Sequence, residues 1–360
     1  MDPYNTPSME PPTGMESNLD EPNGVLPGRI AAVTVCFSVS TFAVIMRLYV
    51  RKFLLKTFAL DDYAIVFTYI GFASWIYIMM TAGRLGDGKH QWNVSLANMT
   101  EILYYLNVIE LVYSPTMYFM KYAILRQIET FFFSYNNRSI GSRIIRGLIW
   151  ANLIFYIATF FLFLFVCIPR EKIWKPTIEG RCLSDKDLII ATSVINVLSD
   201  VAILVTPLAV ISRLQMPLKN KLGTGAVFGV GVLATVTTIV RLYYSVILAH
   251  RENLTYNLAP VGHWALGEFT AGILVACLPS LPRLLKHLRG DIEQPYNSSR
   301  TSPRKSHYQK TPGYFSKATD SCSVKALRED PIQDTVGGDS VALSHLETCV
   351  IVTPGVRDTY

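Results

Sequence analysis

Four ionisable residues, Glu110, Asp200, Arg241 and Glu268, interrupt otherwise apolar stretches of this 360-residue chain. An ionised side chain at the centre of an apolar span costs about 2.5–3.5 kcal/mol on insertion scales unless it meets a partner or faces a polar cavity. One arginine among three carboxylates therefore reads as a bridging network around such a cavity. The network has two uses: an ion pair that fixes helix packing, or a set of partners for which a ligand competes. A second group gathers where stretches end. Arg47 and Arg51 close the first, Asp61 and Asp62 open the second, and Lys121 lies toward the end of the third. Carboxylates at a helix start satisfy free N–H groups and the helix dipole, which explains the two acids without any function. An ionic lock between helix ends is the alternative. His90, His250, His263 and His287 are scattered, and no pair has ligand spacing within one helix. No metal site, cofactor or catalytic set is expected, and an embedded metal-dependent hydrolase is the weakest of the functional readings.

The elements that must position these residues are seven apolar stretches: 29–50, 61–83, 100–128, 144–168, 188–212, 222–249 and 263–285. A helix rises about 1.5 Å per residue, so each covers the roughly 30 Å hydrocarbon layer of a bilayer. Half of the residues are hydrophobic and only 17% are charged, spread along the chain rather than gathered in a soluble core. The expected fold is all-α: a polytopic seven-transmembrane-helix bundle whose first partner is the lipid bilayer. Nothing suggests nucleic-acid binding. The domain reading is a disordered N-terminal segment 1–28, a membrane domain 29–288 and a disordered tail 289–360 rich in Ser, Thr and Pro. No basic region precedes an apolar core near the start, so the first helix is read as its own insertion signal. Gly225 and Gly229, four apart in the sixth stretch and followed by Gly231, suggest a close backbone approach.

Lys and Arg favour one set of loops fourteen to nine, which predicts an extracellular N-terminus and a cytoplasmic C-terminus. Three sequon asparagines, Asn93, Asn98 and Asn253, then fall outside, where glycosylation is possible, and a fourth, Asn137, falls inside. Cys167 closes the fourth stretch and Cys182 follows in the next loop. The two either pair across a loop of about 15 residues, worth on the order of 3 kcal/mol in the chain-entropy model, or are unrelated thiols. Leu281, Leu284, Leu285 and Leu288 recur at helical spacing among basic residues. That pattern suits an anionic membrane surface, or is the frayed end of the seventh helix.

Spaced motifs run from Arg47 to about Leu288. They comprise RLYVRKFLLKTFALDDY from Arg47 to Tyr63, GRLGDGKH from Gly83 to His90, and Lys121. Cys167, Pro169, Trp174, Gly180 and Cys182 follow, then Asn196, Asp200 and Pro207, and LQMPLKNKLG from Leu214. Arg241-Leu242, Trp264, Glu268 and CLPSL from Cys277 complete the set. In their order and spacing the chain resembles the fungal rhodopsin-domain integral membrane proteins, a family of seven-helix, G-protein-coupled-receptor-like proteins. The resemblance implies a Cys167–Cys182 bridge and a shared framework of Asp200, Arg241 and Glu268. It also implies a receptor that senses an extracellular ligand at the plasma membrane, with a heterotrimeric G protein as the expected partner. The chain departs from light-sensing and animal receptors, however. No Lys lies between His263 and Leu285 to form a retinal Schiff base, and neither a DRY triplet nor an NPxxY pattern is present. No Cys precedes Cys36, so the Cys-rich extracellular module of some relatives is not expected, and Ala123 replaces a small polar residue after Lys121. A small-molecule transporter or channel is the alternative, although the halves show no internal repeat.

Overall fold

The computed structural model describes residues 2–20, 24–133, 140–175, 177–183, 185–211 and 218–289. The tail beyond Arg289, the sequon at Asn137 and the surroundings of Gly225 lie outside them. Helix α1 (Leu26–Tyr49) starts with a proline in its first turn and runs on into a π-helical turn, Val50–Leu54. Helix α2 (Leu60–Leu85) stops at Gly86, whose φ of 120° only glycine adopts without strain. Helices α3 (Leu96–Phe133), α4 (Ile140–Leu164), α5 (Asp185–Ile211), α6 (Leu218–His250) and α7 (Leu254–Cys277) follow. A short 3-10 turn, Leu278–Ser280, leads into α8 (Leu281–Leu288).

This is an all-α polytopic membrane protein. Among the described residues, six helical segments are long and apolar enough to cross a bilayer: Leu26–Leu54, Leu60–Leu85, Ile140–Leu164, Asp187–Pro207, Gly229–His250 and Leu254–Leu288. Helix α3 is the seventh long helix, and its lower apolarity has a physical reason. It packs against α2, α4, α5 and α7, so Asn107, Ser114, Thr116, Lys121 and Gln127 are buried against protein rather than lipid. The outer helices instead expose large apolar residues, such as Phe42 and Ile45 on α1, Ile154 on α4 and Leu233 and Val236 on α6, as a lipid-facing surface requires. A core around Phe72, Trp75, Met117, Phe269 and Ile273 joins α2, α3 and α7.

Several boundaries depart from the sequence reading. Helix α4 ends at Leu164, and Cys167 lies in a two-residue strand β1 (Cys167–Ile168) paired antiparallel with β2 (Arg181–Cys182) and joined to it by the Cys167–Cys182 disulfide. Helix α7 begins at Leu254, nine residues earlier than expected. Its polar first turn is held by the α2–α3 loop: the Leu254 N–H donates to Gln91 Oε1 at 3.1 Å and the Thr255 hydroxyl to the Lys89 carbonyl at 2.8 Å. Pro260 lies inside α7, whereas Pro279 lies in the 3-10 turn.

The N-terminal residues, read as disordered, are also held. Ser8 N–H donates to the Val94 carbonyl at 2.9 Å, Leu96 N–H to the Thr6 carbonyl at 2.9 Å and Asn18 N–H to Asn93 Oδ1 at 3.0 Å. Backbone pairing against the α2–α3 loop orders a segment whose composition gives no apolar reason for order. Gly229 meets nothing within 4 Å, whereas a Cβ on Gly231 would lie 3.0 Å from Leu204 Cδ1 of α5. Tighter approaches occur at Gly71 on α2, against Thr116, and at Gly272 on α7, against Met120.

Candidate functional site

Facing positions of five helices build a continuous polar core. Lys121 on α3 reaches Asp200 Oδ1 on α5 at 2.7 Å and donates to Asn196 Oδ1 at 2.8 Å, one helical turn away from Asp200. Thr238 on α6 donates to the other Asp200 oxygen at 2.7 Å. Asn196 is the hub. Its carbonyl oxygen also accepts from the Tyr156 hydroxyl on α4 at 2.7 Å, and its amide donates to Glu268 Oε1 on α7 at 2.7 Å. Glu268 accepts from the Tyr113 hydroxyl at 3.2 Å and lies 3.0 Å from Arg241 Nε on α6. That last contact is an ion pair by distance rather than an aligned hydrogen bond, because Nε–H is not directed at the carboxylate. The Arg241 guanidinium lies over the Tyr113 ring, 4.9 Å from its centroid, a cation–π placement.

Above this core a cavity of about 190 Å3 lies between α3, α4, α5, α6 and α7. Glu110, Tyr113, Tyr156, Asn196 and Arg241 supply polar groups to its wall, and Val166 and Ile173 of the disulfide-bonded loop reach into it. The loop is pinned to α3 by Arg170, which donates to Asn107 Oδ1 at 3.1 Å, and by Trp174 edge-on to Tyr104. Ligand pockets for drug-sized molecules run to roughly 300–1,000 Å3, so this cavity suits a smaller occupant.

The network expected around one arginine is therefore two ion pairs. Arg241 takes Glu268, whereas Asp200 belongs to Lys121. Glu110 makes neither an ion pair nor a side-chain hydrogen bond among the described residues. A second correction follows. Lys121 does not join the cluster at the helix ends, because α3 continues to Phe133 and leaves Lys121 three turns inside it. That cluster consists of Arg47, fully buried, 2.6 Å from Asp61 and 3.0 Å from Asp62, with Arg51 2.9 Å from Asp61 and 3.3 Å from Asp62. Arg47 also donates to Gln127 Oε1 on α3 at 2.8 Å and to the Ala276 carbonyl on α7. Asp62 accepts from the Ala59 N–H at 3.1 Å, so it caps α2 and binds arginine together.

Sequence reasoning overlooked three features. Tyr113, Tyr156 and Thr238 are ordinary helix residues in the sequence; only the Asn196–Asp200 spacing of one turn hinted that α5 has a polar face. At the disulfide end, Arg29 is buried against Asp87 at 2.6 Å. At the other end, Glu129 binds Ser142 at 2.8 Å and Arg146 at 3.1 Å, and also pairs with Arg126. The sequons fare unequally. Asn93 is buried, and Asn253 accepts from the Gln91 N–H at 3.0 Å and contacts His90 at 2.8 Å. Asn98, on the first turn of α3, is half-buried, as is Asn253.

Residues 46–287 match the Fungal rhodopsin domain. A SAT4 family membrane protein of Emericella nidulans is 35% identical over 228 residues, which cover 63% of this chain and 58% of that protein. The Fugralins biosynthesis cluster protein 2 of Gibberella zeae is 30% identical over 290 residues, 78% of this chain and 71% of that protein. The chain thus spans less than two thirds of the first of these relatives. No solved structure matches.

Proposed function

The chain belongs to the fungal rhodopsin domain family, and from that premise we propose that it is a receptor-like protein of the plasma membrane that reads an extracellular cue without retinal and signals inward. The observation that carries this reading is the cavity whose lining includes Tyr113, Tyr156, Asn196 and Arg241, members of the polar core that ties α3, α4, α5, α6 and α7. An occupant there touches the groups that hold those helices together, so any preference for one arrangement of them shifts the population. In this reading the disulfide end and residues 2–20 face outward. The Cys167–Cys182 bond supports that sense, because disulfides persist in oxidising compartments, as does the excess of Lys and Arg on the other set of loops. The Arg47 cluster then lies at the cytoplasmic end, where a heterotrimeric G protein is the partner. The only lysine of the polar core, Lys121, is committed to Asp200 and Asn196. No catalytic role is assigned.

Two measurements test this. A membrane-impermeant maleimide applied to intact cells is expected to label Thr13→Cys but not Lys286→Cys, and the reverse pattern would overturn the orientation. Detergent-solubilised protein is expected to recover heterotrimeric G protein from a fungal host and to release it on addition of a non-hydrolysable GTP analogue. Recovery indifferent to the analogue would sink the coupling.

A further inference from the structure

The charges around the cavity do not balance. Lys121 answers Asp200 at 2.7 Å and Arg241 answers Glu268 at 3.0 Å. Glu110, on the cavity wall, is left over: among the described residues its carboxylate has no ion pair and no hydrogen bond. Much of the rest of the cavity lining is apolar, with Leu106, Phe155, Phe163 and Leu258 among it. Arg241 also acts on Glu110 through space but is ion-paired to Glu268, so the Glu110 carboxylate gains most from an occupant that brings a cation of its own. An anionic occupant would meet Glu110 and find in the lining one cation, Arg241, that Glu268 already holds.

We propose that the cavity receives a small protonated amine, its ammonium group on Glu110 and its carbon skeleton against Leu106, Phe155 and Leu258. The proposal rests on the reading of the cavity as the ligand site and names the chemical class of the ligand. The volume of about 190 Å3 limits that class to small amines.

The test uses the full-length protein in detergent and three probes of one shape: phenethylamine, the neutral 2-phenylethanol and the anionic 3-phenylpropionate. The amine is expected to raise the unfolding midpoint at roughly ten- to a hundredfold lower concentration than the alcohol, the range a charge-assisted hydrogen bond supplies. The acid is expected to have no effect. Glu110→Gln removes the advantage of the amine, and Glu110→Asp keeps part of it. Equal responses to amine and alcohol, no response to the amine, or an amine response unchanged in Glu110→Gln would each overturn the proposal. If Glu110→Gln does not fold, the wild-type comparison of amine with alcohol decides alone. The cavity-filling Thr192→Trp separates the two levels. Loss of equal amine and alcohol responses in that variant removes the amine but keeps the cavity as the ligand site, while an amine response that survives it removes both.

Discussion

Lys121 and Arg47 are both buried cations, yet their partners make them differ in what their loss should do. Lys121→Met leaves Asp200 facing α3 with only the Thr238 hydroxyl. Breaking a buried pair on one side costs about 3–5 kcal/mol, whereas apolar replacement of both partners is often near neutral. The single variant is therefore expected to lose most of its folded yield, and Lys121→Met with Asp200→Leu to recover it, measured as monodisperse protein after solubilisation. Arg47→Ala is expected to cost more than Arg51→Ala, since Arg47 alone also ties Gln127 and the Ala276 carbonyl to Asp61 and Asp62. Equal midpoints for the two variants would refute that ranking. At the other end, burial pushes the Asp87 carboxyl above its ordinary 3.8 against the pull of Arg29. The folded state then holds that proton more tightly than the unfolded one. The stability this group adds is present below its ordinary value and is lost as the pH rises through the raised one. Asp87→Asn is expected to flatten that fall in a pH series of unfolding midpoints.

Among the elements, helix contacts rest on small residues at two crossings. A Cβ on Gly71 would overlap the Thr116 hydroxyl, and one on Gly272 the Met120 sulfur, while Gly229 faces open space. Gly71→Val is expected to cost at least about 1–3 kcal/mol by overpacking, and Gly229→Ala to stay within about 0.5 kcal/mol of wild type, read from unfolding midpoints. Seven helices were legible because lipid-facing stretches must be apolar throughout, and the ends of α2, α5 and α6 fell within about four residues. The start of α7 was not legible, since its polar first turn is satisfied by loop residues 163 and 166 positions away in sequence. Partnerships inside the core were legible only as a set of charges. Sequence gives depth along a helix but not its rotation about the axis, so Asp200 went to the wrong cation and Lys121 to the wrong end. Asn93 looked like a surface residue because its burial depends on residues 2–20.

In the whole molecule, the disulfide hairpin and the N-terminal segment close one end while charged clusters tie the other. Cys167→Ser should release a loop of sequence separation 15, worth on the order of 3 kcal/mol, and dithiothreitol should lower the wild-type midpoint without affecting that variant. A fall of similar size in both would place the reductant's effect elsewhere. The weak apolarity of α3 bears on a different stage, the moment of synthesis. A segment carrying Asn107, Glu110 and Lys121 gains little by partitioning alone from the translocon into lipid. It becomes acceptable there when α2 is already beside it with the Gly71–Thr116 crossing formed, and when α5 arrives with Asp200 and Asn196 for Lys121 and α7 with Glu268 for Tyr113. Nascent chains stopped after α3 should therefore leave it extractable by alkali, and chains long enough to include α5 should hold it fast. The helix that carries the chemistry enters the membrane on credit from its neighbours.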